Sequence, residues 1–275
     1  MEYDPIKRRL GYFFNRTPIL RKIFYCLLDL LLLRAWHVIK ELRSLKAETF
    51  HRELNILDAG SGFGQYSYRM SQIFPAARIK GVDVKEEQIE DCNHFFSSIR
   101  LNDRVRFEYA DLTKFSEPET YDLILSVDVM EHILEDELVF QNFYQSMRNK
   151  GVLLISTPSD QGGSDADDHC HGDQNHGFIG EHVRDGYGIS EITDKLSRAG
   201  FSSIEVKYTY GKTGSLSWRL SMKYPILMLG KSKLFYIILP FYYLVVFPFC
   251  ALFNYLDVNS AHPKGTGLLV KAVKK

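Results

Sequence analysis

Residues 55–67 read NILDAGSGFGQYS, and the reading of this stretch decides the fold. Ile56 and Leu57 form an apolar run that delivers Asp58; Gly60, Gly62 and Gly64 then stand at alternate positions, and a helical pattern starts at Gln65. The order is strand, tight turn, helix. Glycine suits such a turn because it adopts φ > 0 at little steric cost. It also lets the backbone approach a ligand at the start of the helix. A glycine-rich turn alone is unspecific, so its neighbours must decide what it serves.

Outward from this stretch, short apolar segments alternate with helical ones, which predicts an α/β fold with a mostly parallel sheet covered on both faces. Strands are expected at 55–59, 78–83, 105–109, 121–128, 151–157, 203–208 and 267–273, and helices at 64–73, 85–99, 135–149 and 190–198. Ligands of such sheets sit beyond the carboxyl ends of the strands, where the strand order reverses. The strand-ending residues are therefore the ones to weigh. Asp83 ends the second strand, where a carboxylate can accept hydrogen bonds from ribose hydroxyls. Asp111 follows the third, and the fourth runs into SVDVMEHI, which brings Asp128, Glu131 and His132 to the same rim.

With these residues the sequence resembles the class I S-adenosylmethionine-dependent methyltransferases, over residues 50–209 and again at 267–273. The motifs are LDAGSGFG at 57–64, GVDV at 81–84, ADL at 110–112, YDLILSVDVMEHI at 121–133 and GVLLISTPS at 151–159. It is similar to the small-molecule enzymes of quinone biosynthesis and of lipid or sugar tailoring. The resemblance implies a Rossmann-like seven-stranded sheet whose last strand is antiparallel, and S-adenosyl-L-methionine as cofactor. It implies that the Gly60–Gly64 loop holds the methionine part, Asp83 the ribose and Asp111 the adenine, with Asp58, Ser61, Val84, Leu112 and Asp128 completing the donor site. A nicotinamide dehydrogenase fits poorly: its fingerprint needs the third glycine three positions after the second, whereas Gly64 comes two after Gly62 and position 65 is Gln.

Methyl transfer from a sulfonium asks chiefly for alignment of donor and acceptor. A base helps when the acceptor is a hydroxyl. Four histidines, His169, His171, His176 and His182, lie after the fifth strand among Asp165, Asp167, Asp168 and Asp173. Their spacing matches no strong metal template, so no metal is assigned. A solvated polar loop and a His/Asp metal site are the alternatives. The expected base is His182, followed by His132 and Tyr187; His176 and Arg184 are expected to hold the acceptor.

Lys plus Arg (34) balances Asp plus Glu (34), so charge gives no argument for a nucleic-acid partner. Four scattered cysteines fit no disulfide framework, and a cytoplasmic setting follows. Four segments are expected: a basic and apolar helical segment at 1–48, the methyltransferase core at 49–209, a hydrophobic insert at 210–264 and the last core strand at 265–275. One helix is expected from Thr17–Pro18 to about residue 46, either packed on the core or lying in a membrane interface. The insert carries LFYIILPFYYLVVFPFCALF at 234–253, without a charge. Its flanking strands share one sheet, so a single crossing is excluded, and Pro240 and Pro248 predict a bent or broken helix. The expectation is a peripheral or monotopic enzyme at the inner face of the membrane that methylates an oxygen of a lipid-linked or hydrophobic acceptor, with a homodimer as another use of the apolar face. Carbon methylation of a quinone or polyene head group, oxygen methylation of a soluble sugar, and a catalytically silent nucleotide-binding module are the alternatives.

Overall fold

The computed structural model describes residues 17–48, 53–162, 183–232 and 235–275. Seven strands form one sheet: β1 (Asn55–Ala59), β2 (Arg78–Asp83), β3 (Val105–Tyr109), β4 (Tyr121–Val127), β5 (Met147–Pro158), β6 (Ser202–Thr209) and β7 (Gly267–Val273). Their order is β3-β2-β1-β4-β5-β7-β6, with β7 antiparallel to both neighbours and the other pairs parallel. The order reverses between β1 and β4, and the crevice outside their carboxyl ends is where such a sheet binds ligands.

Side chains alternate along each strand, so each strand serves two cores. Ile56, Leu123, Leu125 and Leu154 pack with Met70, Phe74, Phe95 and Phe96 of helices α3 (Gln65–Ile73) and α4 (Glu86–Ser98) and the turn after α3. Leu57, Ile124, Leu153 and Ile155 pack on the other face with Val139, Phe140, Ile192 and Leu196 of α5 (Asp136–Ser146) and α6 (Ile189–Ala199).

The N-terminal segment differs from the single helix expected. It forms α1 (Pro18–Leu31) and α2 (Leu33–Glu48), because Leu32 turns extended at ψ 109°. The expected cap is present: the Thr17 hydroxyl accepts from Leu20 N at 3.2 Å, and Pro18 follows at the first helical position. The faces of α1 are inverted relative to a helix on a water-soluble core. Arg21, Tyr25 and Asp29 are buried, whereas Ile19, Ile23, Leu27 and Leu30 are exposed, Ile19 by 71%.

Residues 210–266 leave the sheet between β6 and β7, where Thr209 pairs with Gly267. They form α7 (Lys212–Trp218), a π turn at Arg219–Lys223, α8 (Tyr224–Lys231) and α9 (Phe235–Val258). The two arms run antiparallel. Asp257 meets Gly214 N at 2.9 Å, Ser217 Oγ donates to Cys250 O at 3.2 Å, and the Tyr242 and Tyr243 hydroxyls donate to Leu220 O and Ser221 O, each at 2.7 Å. Of the bent or broken helix expected from Pro240 and Pro248, the break is not found: α9 is continuous through both prolines. Each proline removes one backbone donor, and those cross-arm bonds, with buried Cys250, Asn254 and Asp257, hold the helix in register. Asp257 anchors its end, accepting also from His37 Nε2 at 2.9 Å and Tyr210 N at 3.2 Å. Burial pushes its carboxyl up, but the bonds from His37 and Gly214 and the nearby His262 hold it below the usual range. Along α9 one side is apolar and exposed, with Ile237, Phe241, Val245 and Phe249 outward and Leu244 exposed by 77%.

Candidate active site

The turn after β1 is built by hydrogen bonds to β2. Gly60 N and Ser61 N both donate to Val82 O at 2.9 Å. Gly60 has φ 78°, and a Cβ there would lie 2.2 Å from Val129 Cγ2, so the position excludes any side chain. Gly62 has φ 49° and faces open space, its nearest neighbour being Gln88 Oε1 at 3.9 Å. Glycine at 62 thus serves conformation and clearance for a ligand. Gly64 precedes the first residue of α3.

Asp83 is tied to this loop, its Oδ2 accepting from Gly62 N at 2.8 Å and its Oδ1 from Lys85 N at 3.0 Å. Each carboxylate oxygen has a second lone pair, so two acceptor positions remain for a diol. Val84 beside it is exposed and offers an apolar surface. Asp111 Oδ1 accepts from Thr113 N at 3.0 Å and Thr113 Oγ1 at 2.7 Å. Those two bonds hold its carboxyl below the ordinary range. Asn142 Nδ2 braces the same turn through Leu112 O at 2.9 Å and Thr113 O at 3.0 Å, with the Leu112 side chain buried. Asp58 lies beneath the turn and accepts from Ser67 Oγ at 2.6 Å. Burial without a cation pushes its carboxyl up to about 6.

The rim at β4 is formed by Asp128, a non-glycine residue at φ 52°. Such conformations are uncommon and persist where the surroundings enforce them. Here Asp128 N donates to Ser156 O at 2.8 Å, and its carboxylate meets Arg34 Nη1 of α2 at 2.5 Å. Arg34 N donates to the Tyr210 hydroxyl at 3.1 Å, which joins the rim to the first residue of the insert. Among the described residues, the buried Ser61 Oγ, Tyr66 hydroxyl and Ser126 Oγ have no protein partner. All three belong to the end of β4 or to the turn and first helical residues after β1. Buried polar atoms are rarely left unpaired, so these are positions for the polar groups of a bound molecule. Together with the open Gly62 and the spare lone pairs of Asp83, they fit the amino-acid and ribose parts of S-adenosylmethionine.

The N-terminal helix closes on this loop. Arg21 Nη2 donates to Phe63 O at 3.0 Å, Nη1 to Asp91 O at 3.0 Å and Nε to the Tyr25 hydroxyl at 2.8 Å. Tyr25 also donates to Phe63 O, and the guanidinium lies 4.9 Å from the Phe95 ring centre. Asp29 accepts from Gln65 Nε2 at 2.8 Å and from Arg69 Nε at 3.0 Å. Sequence reasoning missed this clamp. Its signal was the spacing of Arg21, Tyr25 and Asp29, four residues apart within an apolar run.

On the acceptor side, sequence reasoning noted Glu131 at the rim but gave it no role. It sits with half-buried His132 in a 3₁₀ turn, Met130–His132, just past β4. Its carboxyl is buried and accepts from Thr157 Oγ1 at 3.1 Å. Burial and then the Asp128 charge raise its pKa well above the ordinary range. Val183 N donates to Glu131 O at 3.0 Å, which brings that end of the histidine-rich loop to this turn.

Tyr187 and Arg184 stand elsewhere than their assigned roles require. Tyr187 is fully buried and donates to Asp136 Oδ2 at 2.7 Å, with its hydroxyl pKa raised by burial and by that carboxylate. Arg184 Nη1 meets the same oxygen at 2.5 Å, Lys195 Nζ does so at 2.7 Å, and Arg184 Nη2 caps Ile133 O. Both side chains are spent on holding α5 to α6, because Asp136 is a buried acid that needs cations. His176 and His182 lie outside the described residues. Among the described residues no group of three His, Cys, Asp or Glu side chains could hold a metal ion.

The family described as "Methyltransferase domain" matches residues 50–187. Malonyl-[acyl-carrier protein] O-methyltransferase of Bacillus cereus is 30% identical over 105 residues, 38% of this chain and 37% of that protein. Phosphoethanolamine N-methyltransferase 3 of Arabidopsis thaliana is 32% identical over 102 residues, 37% of this chain and 20% of that protein. The match thus spans between a fifth and little more than a third of the length of such relatives. In fold, it is similar to Haemonchus contortus phosphoethanolamine N-methyltransferase 2 in complex with S-adenosyl-L-methionine (TM-score 0.59, 18% identity, 87% of this chain and 52% of that one). A second similar structure is the O-methyltransferase of a Brevibacillus brevis trans-AT PKS multienzyme in complex with S-adenosyl-L-homocysteine (TM-score 0.55, 16% identity, 86% and 72%).

Proposed function

The chain belongs to the class I S-adenosylmethionine-dependent methyltransferases, and on that premise we propose that it methylates an oxygen of a lipid-linked or otherwise hydrophobic acceptor at the cytoplasmic face of a membrane. The donor supplies an electrophilic methyl group on a sulfonium. The Gly60–Gly64 turn and Asp83 bind and orient it, with the Asp111 turn beside the base. In-line displacement removes positive charge, so holding two reactants in register is the main service, worth roughly 7 to 11 kcal/mol. Proton removal from a hydroxyl adds about 10² to 10⁴ in rate. Glu131 is the candidate base, with His132 on the same turn; its raised pKa suits proton acceptance near or above neutral pH.

The observation that carries the acceptor class is α9: a 24-residue helix with an 18-residue stretch of mean hydropathy 2.1, on which Ile237, Phe241, Leu244, Val245 and Phe249 stand exposed. It belongs to an insert whose first residue, Tyr210, meets Arg34 at the rim of the site. A soluble acceptor would give such a surface no use beside the catalytic rim. The chain from 210 to 256 has Lys212, Arg219, Lys223, Lys231 and Lys233 and no acid, which suits an anionic headgroup layer.

The test is to incubate the full-length protein with labelled S-adenosylmethionine and a lipid extract, and to follow the label by mass spectrometry while tracking the protein between membrane and soluble fractions. Label in an organic-soluble product made by membrane-bound protein is the expected outcome. Label confined to water-soluble products, with the protein wholly soluble, overturns it; carbon-bound label in a lipid keeps the acceptor class and corrects the atom.

A further inference from the structure

The inverted faces of α1 give this helix two tasks. Its buried face carries Arg21, Tyr25 and Asp29, which grip Phe63, Gln65 and Arg69 of the glycine turn and the following helix. Its outer face is a stripe of Ile19, Ile23, Leu27 and Leu30, all exposed, with Lys22 exposed beside it. Helices on soluble cores bury the apolar stripe and expose the polar one. Here the polar face is inside because it has a specific job, and the apolar face needs another medium.

We propose that this outer stripe is a contact face for an anionic lipid bilayer, and that seating it on lipid closes the donor loop, so that donor binding and membrane binding strengthen each other. The inference rests on the membrane reading above and adds regulation to it. Three observations favour lipid as the occupant. The end of α1 adjoins the insert: Ser221 Oγ donates to Leu31 O at 3.4 Å, and Met222 packs on the buried cluster that includes Tyr25. The first arm of that insert is basic without an acid, complementary to an anionic surface. And the outward side of α9, a helix of 24 residues, presents the same kind of exposed apolar surface. Two apolar faces engage one bilayer together only while α1 is seated on the loop, so lipid binds the seated state better than the detached one. That differential affinity is what shifts a two-state element.

Binding of S-adenosylhomocysteine to the full chain, by calorimetry, is measured in buffer, with neutral phosphatidylcholine vesicles, and with vesicles containing phosphatidylglycerol. The expected result is a dissociation constant about 5- to 20-fold lower with anionic vesicles, within the usual span of coupled sites. S-adenosylhomocysteine should raise vesicle affinity by the same factor, since linkage is reciprocal. Leu27→Asp should bind S-adenosylhomocysteine as wild type in buffer and lose the vesicle effect. Asp29→Asn should still bind vesicles with the coupling reduced, which a merely adhesive helix would not show. Vesicle binding that leaves S-adenosylhomocysteine affinity unchanged overturns the coupling. So does absence of vesicle binding, or a stable dimer by light scattering that Leu27→Asp dissociates. No acceptor is present in these measurements, so they stand or fall separately from the nature of the methylated product.

Discussion

Helices α1 and α6 are both amphipathic and lie against the two opposite cores of one sheet, yet they are sorted in opposite senses. In α6, Ile192 and Leu196 are buried and Glu191, Asp194 and Arg198 face out; in α1, Arg21, Tyr25 and Asp29 are buried and Ile19, Ile23, Leu27 and Leu30 face out. Helix α6 is held by the loss of apolar surface to water, about 25 cal/mol per Å². Helix α1, besides packing Phe24, Tyr25 and Leu28 on the core, is held by charge-assisted hydrogen bonds to the glycine turn and its neighbouring helices, each worth about 1.5 to 3 kcal/mol when intact. The first kind of docking is non-directional and tolerant. The second requires particular atoms in place, which makes it responsive to what happens at the loop it grips.

The comparison is tested most sharply by matched truncations. Leu196→Ala should cost roughly 2 to 5 kcal/mol of stability, read by urea unfolding, whereas Leu27→Ala in buffer should stay within about 0.5 kcal/mol. Equal losses would mean that the outer face of α1 is buried in solution.

The two regions also treat buried acids differently. Among the described residues the Asp58 carboxyl in the core has Ser67 as its side-chain partner, whereas Asp29 on α1 has Gln65 and the cation Arg69. The folded value of about 6 for Asp58 lies above its ordinary 3.8, so the folded chain keeps a proton that the unfolded chain has released. Its contribution to stability is present below about pH 4 and is lost as pH rises through about 6, a change of order 3 kcal/mol at most. Asp58→Asn should flatten that decline in unfolding free energy between pH 4 and 7.

Asp29→Ala leaves Gln65 and Arg69 without their acceptor and should cost about 1.5 to 3 kcal/mol. It should also weaken S-adenosylhomocysteine binding measurably in calorimetry, an effect that Leu27→Ala should not share. The smallest effect belongs to Lys22→Glu on the exposed side: under about 0.5 kcal/mol in stability, with loss of affinity for anionic vesicles that added salt makes harder to see.

Much of the core was legible because strand and helix periods differ and the glycine turn locates the switch point. The strands at 55–59, 78–83, 105–109 and 267–273 occupy the expected residues. Asp83 stands where the strand ends placed it, hydrogen-bonded to the glycine turn. The clamp was not legible. Periodicity tells that two faces of a helix differ, but not which of them meets protein, so Asp29 looked like an interruption in an apolar run. Arg184 and Tyr187 looked available for chemistry because sequence shows proximity to a loop and hides the partner: Asp136, 48 and 51 residues away, takes both. Glu131 was passed over for the reverse reason, since nothing local marks a glutamate whose carboxyl folds inward against Thr157.

Residues 210–266 leave and rejoin the sheet at one rung, Thr209 opposite Gly267. Closing so long an excursion costs only about 3 kcal/mol more chain entropy than a two-residue bend would, and the hydrogen-bonded ladder on either side does not register its length. The oily arm is thus spliced in at a seam. A short Asn-Gly bend in its place, with His37, Asp257's partner on α2, recast as a surface residue, is a design route to a freely soluble donor-binding scaffold carrying the same glycine turn.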